Sequence, residues 1–228
     1  MLALKLGLSL VNSNNPSGEW LPTDETSLQA WYQNKVGITL NGSDVSQWAD
    51  SSSNSIDMDQ ATATEQPAYN ASTGALTFDS GDKTNLQTTG QIVVDADFTL
   101  GIRFFPTTTN GTFVADNTTA GELFKISAAG TISIKINNSA TSITLDSAEF
   151  GNQEDYIVIT RASDVFYLYY NGTLQAATPT LAGIIDIDAI GIRRTDTNGF
   201  SGTIKEIQIF DSSNVALTNN INARLSTL

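Results

Sequence analysis

Short strand-like segments recur along this chain from Val36 onward, with turn-forming residues between them. Side chains two residues apart share a face only in a strand, so an alternating segment of this kind is typical of a half-buried β-strand. Many short strands at regular spacing are typical of an antiparallel sandwich. The predicted strands are Gly37–Leu40, Val45–Trp48, Leu76–Phe78, Phe98–Phe105, Gly111–Val114, Glu122–Ser127, Thr131–Ile136, Ser142–Leu145, Tyr156–Arg161, Val165–Tyr170, Thr173–Ala176, Ile184–Arg193 and Gly202–Phe210.

Two of these segments specify their local structure clearly. Thr131–Ile136 (TISIKI) places three isoleucines on one face and polar side chains on the other. That pattern suits an antiparallel sheet with one face in water. The dipeptide Asn171–Gly172 joins VFYLYY to TLQAA. Because both residues tolerate a positive φ, this dipeptide predicts a tight β-hairpin.

Helical spacing is found at two places only. Near the start, Asp24 or Thr26 is placed to cap a short helix in which apolar residues follow at helical intervals. Those apolar residues are Leu28, Trp31 and Tyr32. Near the end, Ser212 or Ser213 is placed to cap a second helix. Its apolar residues repeat every four positions and predict a helix lying on the sandwich. They are Leu217, Ile221 and Leu225.

The composition excludes several kinds of chemistry. The chain has no cysteine and no histidine, and its net charge is −13. It therefore lacks a thiolate nucleophile, a thiolate zinc site and the usual general base near neutral pH. The negative charge and the scattered cations argue against binding nucleic acid. No stretch of about eighteen uninterrupted apolar residues is present, so no transmembrane helix is predicted.

The N-terminal segment MLALKLGLSLVN alternates with a period of two, which predicts a strand. Its one face carries Leu2, Leu4, Leu6, Leu8 and Leu10. Residues 12–23 are rich in turn formers, so we expect residues 1–23 to form a strand arm with its linker and residues 24–228 to form the domain. A lone strand leaves its backbone donors and its leucines without partners. We expect it either to complete the sheet of its own domain or to add to a neighbouring subunit or another protein.

A resemblance to a known family rests on several motifs in order. They are VSQWADSSSN from Val45, QPAY from Gln66, GALTFDSGD from Gly74, DFTLGIRFFP from Asp97, YYNGTL from Tyr169 and GFSGTIKEIQIFD from Gly199. Over residues 28–228 this pattern resembles the concanavalin A-like, laminin-G-type jelly roll. The resemblance implies an all-β fold, a two-sheet antiparallel jelly-roll sandwich with the N-terminal strand arm and short C-terminal helix described above. It also implies a core position for Trp48 and a binding or building module more often than an enzyme.

Two candidate sites have simpler structural explanations beside them. Asp79 and Asp82 can supply oxygen ligands to Ca²⁺, or they can hold a tight turn by accepting bonds from backbone amides. The order Ser80–Gly81 departs from the usual glycine-serine order of the family, which puts the family's metal geometry in doubt here. Trp20 can stack on a sugar ring, or it can fix the turn-rich linker to the domain. No cofactor other than calcium is expected.

Acidic residues give no catalytic motif. The glucanases of this fold carry an E-x-D-x-(x)-E strand, and no such strand occurs here. Glu149, Glu154 and Asp155 are predicted to lie in a solvated acidic turn. The pairs Asp95/Asp97 and Asp186/Asp188 are predicted to lie at solvated strand edges, where charge discourages edge pairing. We therefore expect a protein without enzyme activity.

The function remains open between two classes. The Leu/Gly-rich start and the acidic, Thr/Asn/Ser-rich composition resemble virion proteins of tailed bacteriophages. That resemblance implies a non-catalytic structural protein of the virion, a capsid decoration or head or tail accessory protein. It would be a homo-oligomer that assembles with major capsid or tail proteins through its N-terminal strand. The alternative is a lectin-like module that binds a glycan or another receptor on a host surface.

Overall fold

The computed structural model describes residues 18–118, 121–146, 148–193 and 198–228. The predicted strand of Leu2, Leu4, Leu6, Leu8 and Leu10 lies outside the described residues. The boundary predicted at residue 23 stays a prediction. Within the described residues the chain forms seventeen strands and one α-helix.

All strand pairings are antiparallel, and they form two layers. The strands are β1 (Leu28–Tyr32), β2 (Ile38–Asn41), β3 (Asp44–Trp48), β4 (Met58–Asp59), β5 (Ala68–Asn70), β6 (Ala75–Phe78), β7 (Leu86–Val94), β8 (Phe98–Pro106), β9 (Gly111–Ala115), β10 (Leu123–Ala128), β11 (Thr131–Ile136), β12 (Ser139–Thr144), β13 (Asp155–Ala162), β14 (Val165–Tyr170), β15 (Thr173–Leu174), β16 (Ile185–Ile190) and β17 (Gly202–Phe210).

The first layer, the front sheet, runs β12-β11-β10-β9-β16-β7 and continues through β4 to β3 and β2. The second layer, the back sheet, runs β15-β14-β13-β8-β17. Both β1 and β6 pair with β17, β6 at residues 202–204 and β1 at residues 207–210. The layers are joined at one edge, where β5 pairs with β3 and with β6.

The core lies between the two layers and is built by alternation. In β11 the side chains of Ile132, Ile134 and Ile136 are buried and the residues between them are partly exposed. In β14 Phe166 and Leu168 are buried in the same way from the opposite layer. Burial of one face of each sheet fixes the register, because a slip of one residue would turn the apolar face to water. The all-β sandwich predicted from the sequence is confirmed.

The motif around Trp48 forms a rigid corner of the sandwich. The Trp48 side chain is fully buried, as predicted, and its indole N–H donates to the Gln33 carbonyl at 3.1 Å. The Asp50 carboxylate accepts from the backbone N–H groups of Trp31 at 2.9 Å, Ser52 at 2.8 Å and Ile56 at 3.1 Å. The W-x-D spacing therefore places one carboxylate where it satisfies several amides of an irregular loop.

A helix, α1 (Val215–Ser226), packs on the outward face of the back sheet. The predicted apolar residues Leu217, Ile221 and Leu225 are buried there. The predicted serine caps are wrong: Asn214 is the N-cap, because its extended backbone lets its side-chain oxygen accept from Leu217 N at 2.8 Å. Gly101 of β8 permits the close approach, since a Cβ there would lie 2.5 Å from Ile221 Cγ2.

The predicted N-terminal helix is wrong. Residues Leu28–Tyr32 form strand β1, which pairs with the second half of β17. Trp31 and Tyr32 are both buried, one toward α1 and one toward the core. Pairing with an existing sheet edge outweighs helical spacing, which is a weak preference over five residues. Only a short 3-10 turn at Pro22–Asp24 precedes this strand in the described chain.

None of the helices described in the structure is long and apolar enough to cross a membrane.

Candidate functional site

A polar groove lies on the outward face of the front sheet. Its volume is about 650 Å³. We call it the front groove, and its walls come from β7, from the end of β16 and from the chain that follows β9. The lining side chains are Gln87, Thr88, Thr89, Gln91, Asn117, Thr118 and Asp188.

Strand β16 places one carboxylate in this groove. Ile185 and Ile187 point into the core, so Asp186 and Asp188 share the outward face. Residues 185–187 of this strand pair with β7, and β9 joins on the other side only at residues 189–190. Only 3% of Asp188 is exposed, because the chain after β9 folds over it and Asn117 N donates to its carboxylate at 2.5 Å. The prediction of a solvated strand edge is therefore wrong for Asp188, whereas Asp186 is partly exposed on a stretch of the strand whose described pairing is with β7.

The other pair, Asp95 and Asp97, lies in the turn between β7 and β8. Asp95 is exposed. Asp97 accepts from Ser163 N at 2.8 Å and from the Ser213 hydroxyl at 3.2 Å. Asp97 thus links two neighbouring turns, while Asp95 is solvated.

The carboxylates around the front groove repel one another. Burial raises the pKa of Asp188 to about 6, and the charges of Asp116 and Asp186 add to this rise, while the bond from Asn117 N opposes it. Burial also raises the pKa of Asp186, helped by the charges of Glu122 and Asp116. Desolvation disfavours a charged carboxyl, and a neighbouring negative charge disfavours it further. The groove therefore carries a negative potential.

The loop after β9 is held by its own acidic residues. Asp116 is 1% exposed, and its carboxylate accepts from the backbone N–H and the hydroxyl of Thr118, both at 2.6 Å. Its own N–H donates to the Glu122 carbonyl at 3.2 Å. The Glu122 carboxylate accepts from Asn137 N at 3.0 Å. These bonds position Asn117 and Thr118 over β16.

A chain of amides holds Gln87 in the opposite wall. The Gln87 side-chain amide donates to Asn85 Oδ1 at 2.8 Å, and the Gln60 amide donates to the same oxygen at 3.0 Å. Asn85 is fully buried. A side chain fixed by buried partners presents its remaining polar surface in a constant orientation. The Gln87 side chain is thus already oriented in the absence of a ligand.

A second, smaller groove of about 270 Å³ lies beside the start of α1. We call it the helix groove. Tyr167 and Tyr169 of β14 line one side, and Asn214 and the exposed Val215 line the other. The two rings lie on the outward face of the strand, since Phe166, Leu168 and Tyr170 face the core. This groove offers aromatic surface where the front groove offers amides and hydroxyls.

The two aspartates predicted for calcium lie in a tight turn. The Asp79 carboxylate accepts from Gly81 N at 2.7 Å, and Asp79 N donates to the Thr84 hydroxyl at 2.6 Å. Asp82 is exposed. No group of three or more histidine, cysteine, aspartate or glutamate side chains suited to a metal ion occurs in the described ranges. Calcium binding at this turn stays a prediction.

Trp20 packs against the domain near α1. Its indole N–H donates to Glu25 at 3.0 Å, and its ring centre lies 6.2 Å from that of Phe210. The side chain is partly exposed and borders the apolar cluster under α1. These contacts fit the linker-fixing alternative, and a glycan role for Trp20 stays a prediction.

The predicted solvated acidic turn is wrong for two of its residues. Asp155 is fully buried and accepts from the Tyr170 hydroxyl at 2.8 Å and from the Asn171 amide at 2.9 Å. Glu154 forms salt bridges with Lys205 at 2.7 Å and Arg103 at 3.3 Å. Both residues stabilise the hairpin and the outward face of the back sheet.

No sequence motif indicated the front groove. Gln87 and Asn117 are ordinary polar residues, and they lie on opposite walls only after the sheet has formed. One signal was available. Asp186 and Asp188 interrupt an otherwise apolar run, IIDIDAI. Because carboxylates are rarely buried without a partner, they could have indicated a site on this strand.

Comparisons with known proteins agree with the fold. No protein-family model matches the chain, and no curated protein matches it in sequence. Domain 4 of an extracellular arabinanase of Geobacillus stearothermophilus, solved in complex with arabinotriose, matches 88% of this chain and 98% of its own at 14% identity, with a TM-score of 0.57. A Trypanosoma rangeli sialidase in complex with sialic acid matches 96% of this chain at 15% identity and a TM-score of 0.58, and this chain spans 36% of its length.

At such identities the likeness concerns the fold. The molecule is a two-layer β-sandwich, and the likeness is consistent with the concanavalin A-like fold predicted from its motifs.

Proposed function

We propose that this protein is a non-catalytic glycan-binding module and that the front groove holds the glycan. The observation that carries the proposal is the groove itself, which is about 650 Å³ in volume and lined by amides, hydroxyls and one carboxylate. A volume of this order suits a small-molecule ligand, since such sites span about 300–1,000 Å³. The glycan-binding hypothesis, which was the alternative in the sequence analysis, thus has more support than the virion hypothesis.

The lining residues suit the chemistry of sugars. A sugar ring presents hydroxyls that both donate and accept hydrogen bonds, and amide side chains offer both functions in one plane. Gln87, Gln91 and Asn117 provide such amides, and Asp188 provides an acceptor. Because Gln87 is fixed by Asn85, little side-chain entropy is lost on binding.

Structural likeness supports the class of ligand. The arabinanase domain, which matches nearly along its whole length, was solved with an oligosaccharide bound. Loops and sheet faces of a rigid sandwich commonly carry binding sites. We carry over the ligand class, an oligosaccharide, and leave the particular sugar open.

The proposal includes an absence of catalysis. Glycoside hydrolysis requires two carboxyl groups whose environments move their pKa values apart. Among the described residues that line the front groove, Asp188 is the one carboxyl group, so the groove offers no such pair. We therefore expect binding without turnover of the bound glycan.

A binding measurement with two matched variants tests the proposal. We expect Gln87→Ala to weaken binding of a neutral oligosaccharide about tenfold, since one lost hydrogen bond costs about 1.4 kcal/mol. Tyr167→Ala, in the helix groove, should leave the affinity unchanged. Glycan-array screening followed by calorimetry gives the affinities, and the sugar products are assayed in parallel. Loss of binding in Tyr167→Ala alone would move the site to the helix groove, and no binding to any glycan would refute the proposal.

A second candidate function is the structural role in a phage virion, acting through the N-terminal strand. The observation that favours it is the alternation of Leu2, Leu4, Leu6, Leu8 and Leu10. Five leucines buried at an interface would contribute roughly 10 kcal/mol before the costs of ordering. Deletion of residues 1–12 is then expected to leave the sandwich folded but to abolish assembly, measured by light scattering and by imaging of particles. Unchanged assembly would exclude the strand as the attachment element.

A further inference from the structure

We infer that the front groove is selective for uncharged glycans and that Asp188 and Asp186 exclude ligands bearing a carboxylate or a sulfate. This inference rests on the proposed glycan-binding function and specifies the ligand class of the same site. It follows from where the acidic side chains lie and from the distance of the nearest cations.

Four carboxylates surround the groove. Asp188 lies in its lining, and Asp186 projects from the same face of β16 two residues away, which places it about 7 Å along the strand. Asp116 directly precedes Asn117, whose N–H donates to Asp188, and Asp116 N donates to the Glu122 carbonyl. Asp116 and Asp188 are nearly inaccessible to water, so their charges are poorly screened.

The raised pKa values show that these groups already interact with one another. Burial is the largest cause of both pKa rises; the charges that add to it are those of Glu122 and Asp116 for Asp186, and those of Asp116 and Asp186 for Asp188. A ligand carboxylate placed in the groove would enter the same field. Juxtaposed like charges are a common means of rejecting a wrong partner.

The cations of this face lie elsewhere. Lys125 of β10 pairs with Thr112 of β9. Three residues further along β9, Ala115 pairs with Ala189, the residue after Asp188. Strand spacing places the backbone of Lys125 about 16 Å from that of Asp188. The Lys125 ammonium donates to Asn110 Oδ1 at 3.4 Å, on the side away from Ala115. Burial lowers the pKa of Lys125, and the charge of Arg193 lowers it further.

Lys135 is also distant from the groove. It lies on β11, opposite Leu123, and is three strands away from β16. With strands about 4.8 Å apart, this separation is about 14 Å. No lysine or arginine is among the described residues that line the front groove. A ligand anion in the groove would therefore meet the Asp188 carboxylate and no cation of the described lining.

Selectivity should depend on pH. Asp188 has a pKa of about 6, so it is ionised at pH 7.5 and mostly protonated at pH 5.0. Uronic and sialic acids keep their charge at both pH values, since their carboxyls are of the ordinary acidic kind. Exclusion of anionic glycans is thus expected to be strong at pH 7.5 and weaker at pH 5.0.

The test compares affinities for neutral and anionic glycans at both pH values. An array carries neutral oligosaccharides, among them arabinotriose, beside uronic-acid and sialylated oligosaccharides. We expect the full chain at pH 7.5 to favour neutral over anionic probes at least tenfold, and this ratio to fall severalfold at pH 5.0. Asp188→Asn should show a reduced ratio that no longer changes with pH. Asp186→Asn, at a less buried position, should also reduce the ratio, and it serves if Asp188→Asn fails to fold. Asp211→Asn, at an exposed position after β17 of the back sheet, is the control and should keep the ratio of the unmodified chain.

The outcomes separate the two proposals. Equal binding of neutral and anionic probes, or a preference for anionic ones, would overturn the selectivity and leave the glycan-binding function standing. A ratio unchanged in both Asp188→Asn and Asp186→Asn would also overturn it, because the carboxylates would then not cause the preference. Binding of no probe at either pH would overturn the proposed function and the selectivity together.

Discussion

Replacement of Glu206 with alanine is expected to lower the free energy of unfolding by about 3–5 kcal/mol, the usual cost of breaking a buried ion pair. Glu206 is fully buried in β17. It accepts from Arg224 Nε at 2.5 Å, Trp31 Nε1 at 3.0 Å and Gln208 Nε2 at 2.7 Å. It also accepts from Asn34 N at 3.1 Å. One carboxylate therefore ties β1, β17 and α1 together, and its loss leaves several donors without an acceptor.

Urea denaturation followed by circular dichroism measures the change. Asp211→Ala is the matched control, since Asp211 follows the same strand but is exposed, and its loss should cost less than about 0.5 kcal/mol. Glu206→Gln should fall between these results, because it keeps an acceptor and the shape but not the charge. A loss below 1 kcal/mol in Glu206→Ala would show that water or rearrangement satisfies the donors.

The second large effect is expected from Arg161→Met, which should lower the free energy of unfolding by about 3 kcal/mol. Arg161 is fully buried, and its guanidinium donates to the carbonyls of Ala96, Asp95 and Gly183. It also lies 5.2 Å from the ring centre of Phe98. Methionine preserves much of the volume but leaves these carbonyls without donors in a buried site.

Thermal and urea unfolding of Arg161→Met, Arg161→Lys and Lys125→Met would test this role. Lysine keeps the charge but lacks the planar fork of donors, so we expect Arg161→Lys to be destabilised as well. Lys125→Met removes a cation from a partly exposed position and should be nearly neutral. If Arg161→Lys were as stable as the unmodified chain, charge alone would explain the role of Arg161.

The sandwich was largely predictable because its strands obey local rules. Thr131–Ile136, Val165–Tyr170 and Gly202–Phe210 begin and end where their patterns predict. Each combines one buried face with β-branched or aromatic residues and is bounded by turn formers. Strand β7, by contrast, was not predicted. Its middle, Gln87–Gln91, is polar because that part of the strand borders the front groove and not the core.

The site could not be predicted in the same way. Asp188 is buried by a loop from another part of the chain, and its partner Asn117 is 71 residues away. The local sequence pattern does not indicate a contact between residues so far apart in the sequence. The same reason explains why Leu28–Tyr32 is a strand and not a helix. It pairs with β17, which lies near the other end of the sequence. Long-range contacts determine these residues, and periodicity describes only short-range order.

Gly101 has a consequence for how the molecule can be used. By letting α1 pack directly on β8, it lets the helix cover the outward face of the back sheet, while the described residues leave the front groove open on the other side. Under the proposed function, a glycan held in the front groove lies on the side of the sandwich away from α1. Wherever it is displayed, the orientation of its helix decides whether the open side is presented outward or hidden.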